Sequence, residues 1–326
     1  MPSAAKDQIT LAANAVAEKL DSDVFLYNSE IVRPLDEKLI EATRKRERRK
    51  NVCVFLVTEG GDPDAAYRVA RCFQTRWQKF ICVVPGYCKS AGALILTGAH
   101  ELVIDDAGEL GPLDIQLTKK DELSETESSL TVMSALDALR EKSFSAFEHF
   151  FLTATKKSGN RVTFKTAAEF GVKLTVGLFN PIFQQIDPIH VGEASRAQAI
   201  SHSYGLRLSF FGRNISADSL KTLVSGYPSH GFVIDRAEAL ALFRAVREPN
   251  TEEQHLIGLL ADKATVPFSE NQAIREFLSE EKRKENVIPT GTEVSTPRRA
   301  GPRRIAAVAG EDADQQNVVG GPTAVS

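Results

Sequence analysis

The sequence predicts an α/β fold, a parallel sheet whose strands are joined by helical crossovers, and three observations carry that prediction. Three apolar runs, NVCVFLVT (51–58), KFICVVPGY (79–87) and HELVIDD (100–106), are continuous enough for strands buried on both faces. Between them lie PDAAYRVARCFQTRW and SAGALILTGA, whose apolar residues recur at helical spacing. The first two runs are also followed by turns rich in small residues, Glu59-Gly60-Gly61-Asp62 and Cys88-Lys89-Ser90-Ala91-Gly92. Strand, turn and helix in alternation are the pattern of a parallel sheet.

The remaining elements follow in order. AKDQITLAANAVAEKL (5–20) has helical spacing with few large apolar groups and reads as a peripheral helix, and DVFLYNSEI (23–31) reads as a short strand. Pro34 opens the next helix, LDEKLIEATRKRERRK, with acids early and bases late, as the helix dipole favours. Its basic end, Arg44 to Lys50, reads as a solvated helix terminus rather than a nucleic-acid patch. Residues 118–130 are polar and read as an exposed loop; MSALDALREKSFSAFEHFFLTATKK is a long amphipathic helix. RVTFKTAAEFGVKLTVGLFNPIFQQIDP mixes helix and loop signals and has no legible boundary. A helix ending near Gly205 is expected in GEASRAQAISHSYGLRLSFF, then helix, loop, short strand and helix to about residue 246. From about Asn286 the periodicity stops. The expected division is therefore 1–50 as N-terminal helices and first strand, 51–285 as the main domain, and 286–326 as a disordered tail.

Composition narrows the function classes. A net charge of −3 gives no global argument for nucleic acid or an anionic membrane, and 42% hydrophobic residues suit an ordinary core. The N-terminus lacks the basic and apolar regions of a signal peptide, and no stretch has the length of a membrane span. Cys53, Cys72, Cys82 and Cys88 crowd one segment without a CxxC pair, which reads as buried thiols of a cytoplasmic protein. The six histidines show no metal-ligand spacing, so neither zinc nor another cofactor is expected.

Both glycine-bearing turns fall at the carboxyl ends of strands, the edge where open parallel sheets bind ligands. A serine at a strand-to-helix turn presents its hydroxyl beside unpaired N–H groups, and such groups stabilise an oxyanion. A neighbouring Gly-Gly lets a second N–H approach the same oxygen. Taken singly, Gly60-Gly61 also reads as a plain turn and Ser90 as a helix N-cap. A phosphate-binding G-x-x-x-x-G-K-[ST] loop is not formed, because the required glycine is missing before Lys89.

In combination, EGGDPDAA, VVPGY, CKSAGALILTGAHELVI and GELGPLDIQL resemble the Clp/crotonase superfold serine peptidases. They are most similar to the serine dehydrogenase proteinase family, relatives of signal peptide peptidase A and the Clp proteolytic subunit. GYPSHGFVIDRAEALALF is similar to that family's closing segment. The resemblance implies a repeated ββα spiral, a serine peptidase acting on peptide or protein substrates, and homo-oligomers. It implies Ser90 as nucleophile, and the N–H groups of Ala91 and of Gly61 or Gly60 as oxyanion hole. Glu59 and Asp62 depart from the Pro and Ser that commonly flank the family's glycine pair. In the Clp subunit a His follows the nucleophile and an Asp comes from the closing segment. Here those positions fall on Asp114 and His230, so the two residue types exchange places. His230 as base oriented by Asp114 is one arrangement; a lysine base, Lys119, Lys120 or Lys142, is another. Cys88 is a conceivable thiol nucleophile that reads better as packing. The resemblance leaves two further readings open: an inactive scaffold or binding subunit of the same fold, and an acyl-CoA enzyme of the crotonase type.

Overall fold

A computed structural model describes residues 3–114, 116–118, 126–159, 161–269 and 272–281. The expected tail, 286–326, lies outside the described residues, as do Lys119 and Lys120. The chain runs α1 (Ser3–Leu20), β1 (Ser22–Asn28), α2 (Leu35–Lys45), β2 (Asn51–Val57), α3 (Pro63–Arg76) and β3 (Phe80–Val84). It continues β4 (Tyr87–Cys88), α4 (Ala91–Thr97), β5 (Glu101–Ile104), β6 (Glu109–Leu110), β7 (Gln116–Thr118) and β8 (Thr126–Ser128). Three long helices follow, α5 (Ser129–Lys157), α6 (Phe164–Phe183) and α7 (Pro188–Gly212). Then come α8 (Ala217–Ser225), α9 (Arg236–Leu242), β9 (Val246–Arg247), α10 (Thr251–Leu260), α11 (Asp262–Thr265) and β10 (Ile274–Phe277).

Among the described residues the main sheet has the order β10-β1-β2-β3-β5-β9. All its pairs are parallel except β1 with β10. The strands alternate between two apolar layers, as a pleated sheet covered on both faces must. Phe25, Val54, Cys82 and Leu102 point into one layer with Phe73 of α3 and Leu94 of α4. Val24, Phe55, Val83 and Val103 point into the other, with Val16 of α1 and Leu256 of α10. Phe55 is fully buried, and truncating it to alanine would cost about 3–5 kcal/mol. The sequence reading of an α/β fold with a parallel sheet thus describes the molecule, and α1, with Ala13, Val16 and Ala17 fully buried, is one of its layers.

Several element boundaries differ from expectation for physical reasons. KFICVVPGY is not one strand: Pro85-Gly86 interrupts it where Gly86 passes Thr265, too close for any side chain. Residues 118–130 are not all loop, because β7 and β8 pair antiparallel, Leu117 opposite Glu127 and Thr118 opposite Thr126. α7 does not stop at Gly205. A Cβ there would lie 2.6 Å from Leu220, so this glycine admits α8, and the helix ends instead at Gly212 before the left-handed Arg213. The unplaced segment after Arg161 is α6, packed on α5 where Gly171 meets Phe147 and Phe151, with Phe164, Phe170, Val176 and Leu178 exposed. The short strand expected near FVID is reduced to a bridge between Ile234 and Leu110.

Candidate active site

The extension of β2 beyond Val57 organises the site. On one flank Ile31 pairs with Gly61: its N–H donates to Gly60 O at 2.8 Å and its carbonyl accepts from Asp62 N–H at 2.7 Å. On the other flank Thr58 pairs with Cys88 of β4. In a parallel bridge of this kind the Gly61 N–H points away from Ile31, towards the β4 side and the Ser90 turn. Both glycines are required. Gly60 has φ +121° and Gly61 φ +130°, and a Cβ on Gly61 would lie 2.2 Å from the Ile31 carbonyl oxygen. Asp62 accepts from the N–H groups of Asp64 and Ala65 and caps α3, which explains its presence beside the glycine pair.

Ser90 stands at the N-cap position of α4 but makes no side-chain capping bond. Its backbone, φ 51° and ψ −118°, lies in a region that only glycine enters without strain. The turn presents the hydroxyl beside Gly60: a Cβ added there would be 2.6 Å from Ser90 Cβ, 3.1 Å from Ser90 Oγ and 3.2 Å from Ala91 N. The space between the serine hydroxyl and the Ala91 N–H is therefore open because residue 60 has no side chain. Ala91 is the first residue of α4, so its N–H has no intrahelical acceptor. The Gly60 N–H donates to Thr58 Oγ1 at 3.1 Å, which leaves Gly61 as the available donor of the pair.

Asp114 is 1% exposed and faces two ways. Its carboxylate Oδ1 lies 2.5 Å from Nδ1 of His230, and its main-chain carbonyl accepts from Ser90 Oγ at 3.3 Å. His230 and Ser90 line one cleft of about 760 Å³ with Gly60, Gly61, Glu59 and Phe268. With Nδ1 committed to the carboxylate, Nε2 is the ring nitrogen left for chemistry. In this state the serine hydroxyl rests on the Asp114 carbonyl, not on the imidazole.

The alternative bases fare differently. Lys142 lies on α5 and is exposed. A buried lysine does adjoin the serine, but it is Lys89, whose Nζ lies 3.0 Å from Leu110 O, 3.3 Å from Phe232 O and 3.2 Å from Glu109 Oε1. Its ammonium is taken up by two main-chain carbonyls and an ion pair with Glu109, and no hydrogen bond joins it to Ser90. Cys88 is fully buried, and that burial pushes its thiol far above the range of a nucleophile, only partly countered by Lys89. Sequence reasoning missed two contributors, Lys89 and Thr58. The signal of Lys89 is weak because it acts through main-chain carbonyls of distant segments, and that of Thr58 because its hydroxyl serves only the Gly60 main chain two residues on. Among the described residues no three His, Cys, Asp or Glu side chains gather as a metal site, and no helix is long and apolar enough to cross a membrane.

Comparison with known proteins gives likenesses to a family, to a curated relative and to solved structures. An uncharacterized protein of Methanocaldococcus jannaschii is 31% identical over 81 residues, which are 25% of this chain and 28% of that relative's length. A solved mutant of the 1510-N membrane-bound stomatin-specific protease aligns at 17% identity and a TM-score of 0.28, over 46% of this chain and 70% of that one. Residues 5–134, the stretch containing Gly60, Gly61, Ser90 and Asp114 but not His230, match the family of ClpP-like SDH-type serine proteinases.

Proposed function

We propose that this protein is a serine peptidase that hydrolyses peptide bonds through a Ser90 acyl-enzyme. The observation that carries the reading is a strained serine at a strand-to-helix turn that shares one cleft with a carboxylate-anchored imidazole. In the proposed reaction Ser90 Oγ leaves the Asp114 carbonyl, gives its proton to His230 Nε2 and attacks the scissile carbonyl. Asp114 holds the ring in the tautomer with the proton on Nδ1 and stabilises the imidazolium that forms. The oxyanion lies between the N–H groups of Ala91 and Gly61. Collapse passes the imidazolium proton to the leaving amine, and water, deprotonated by the same imidazole, releases the acid. The homo-oligomer implied by the resemblance has a candidate surface in the exposed apolar residues of α6.

A catalytically inactive subunit of the same fold is the second reading, favoured by the resting bond of Ser90 Oγ to the Asp114 carbonyl. A fluorophosphonate probe separates the two. The peptidase reading expects covalent labelling mapped to Ser90 in the wild type, none in Ser90→Ala, and loss of about the same order in His230→Ala, because coupled catalytic groups fail together. A wild type that is unlabelled, or labelled equally with Ser90→Ala, would refute it.

A further inference from the structure

Lys89 is the most buried cation near the site, with 3% of its side chain exposed. Burying an ammonium is costly unless every proton finds a partner, and here the partners come from particular places. Leu110 lies on β6, immediately before the segment that delivers Asp114, and Phe232 lies just beyond His230. Glu109, the charged partner, sits beside Leu110. The same two segments are joined by Leu110 N–H to Ile234 O at 2.9 Å and Ile234 N–H to Leu110 O at 3.0 Å. The lysine stem reaches them only because residue 111 is glycine: a Cβ there would lie 2.5 Å from Lys89 Cδ.

We propose that Lys89 is a positioning residue, whose ammonium binds the Asp114-bearing and His230-bearing segments to each other beside Ser90. The proposal rests on the peptidase reading for its kinetic consequence, though not for the geometry. The bonds to Leu110 and Phe232 add to the Leu110–Ile234 pair in fixing the separation of the two loops, and the adjacent peptide carries the nucleophile. One side chain thus relates three parts of the site that are far apart in sequence. The ion pair to the part-exposed Glu109 neutralises the charge and is secondary.

The test uses the full chain and compares Lys89→Met with Glu109→Gln. Lys89→Met keeps the stem and removes the donors. Its inactivation by a fluorophosphonate should show a maximal rate about 10–100-fold lower, the scale of a small misplacement of reacting groups, at a half-saturating probe concentration within about twofold of wild type. In ¹⁵N-histidine-labelled protein, the His230 Nδ1 proton resonance should shift or broaden. Glu109→Gln should leave both readouts unchanged. Should Lys89→Met fail to fold, the Lys89→Met/Glu109→Gln double variant, which removes the stranded carboxylate, takes its place with the same expectations. A Lys89 variant that melts earlier yet keeps the wild-type rate and histidine resonance would overturn the proposal. So would a Glu109→Gln variant as impaired as Lys89→Met. A wild type that the probe never labels would instead refute the peptidase reading, while the resonance would still report whether Lys89 holds the pair.

Discussion

The strain at Ser90 makes an unusual stability prediction. At an ordinary buried position, Ala is more stable than Gly by about 0.7 kcal/mol from chain entropy, plus up to about 0.8 kcal/mol from burying the methyl group. Ser90 has φ 51° and ψ −118°, where a residue with a Cβ bears about 1–3 kcal/mol of strain that glycine escapes. With strain near 2 kcal/mol, the order reverses and Ser90→Gly should exceed Ser90→Ala by about 0.5 kcal/mol. Both variants lose the hydroxyl bond to the Asp114 carbonyl, so that contribution cancels. Neither has a nucleophile, so the comparison is free of activity. In urea unfolding, with a slope near 3 kcal/mol/M, the Gly variant should have a midpoint higher by about 0.2 M. An Ala variant more stable by about 1 kcal/mol or more would show that the turn is unstrained and that Ser90 is held there without cost.

Two further expectations concern neighbouring residues. Gly60→Ala should reduce the rate of Ser90 labelling by about 100-fold or more, because the new methyl would occupy the space between Ser90 Oγ and Ala91 N; labelling within about threefold of wild type would refute that reading of the open space. Glu101, at the start of β5, is pushed up by burial, but its hydrogen bonds from Lys79 and Arg247 outweigh this and leave its carboxyl below the ordinary 4.5. A folded value below the unfolded one contributes stability above the unfolded pKa, which is lost as pH falls through the folded value. The stability gap between wild type and Glu101→Gln should therefore be constant above about pH 5.5 and close as pH falls below 4.5, measured by urea unfolding across pH. A gap that persists unchanged at pH 3 would contradict it.

The parallel core was legible because its signal is local: NVCVFLVT and KFICVVPGY are apolar on both faces, and β2 and β3 indeed contribute to both apolar layers. Ser90 and the glycine pair were legible as a combination, since each follows a strand end. The hairpin of β7 and β8 was not, because its polar residues carry no alternation. Gly205 misled for a general reason: a glycine that ends a helix and one that admits a neighbouring helix look alike in sequence, and only Leu220 distinguishes them. Lys89 gives no sign of its role in sequence, because its partners, two main-chain carbonyls and the Glu109 carboxylate, come from other segments. The strand β10 likewise has too little apolar content, IREF, to announce where it pairs.

That last strand has a consequence for how the protein is made. β1 is flanked by β2 on one side and by β10 on the other, with Phe25 opposite Phe277 and Asn28 opposite Ile274. The two ring systems meet edge to face, centroids 4.8 Å apart, and Val24 donates its N–H to Ser279 Oγ. A ribosome delivers β1 and β2 early, yet the outer edge of β1 stays uncovered until nearly 250 further residues have been synthesised. During that interval the nascent chain carries an open, largely apolar strand, the kind of edge that recruits other chains. Translation that stalls before residue 274 would leave this edge permanently exposed, which makes prematurely terminated chains the natural clients of chaperones and the natural seeds of aggregation.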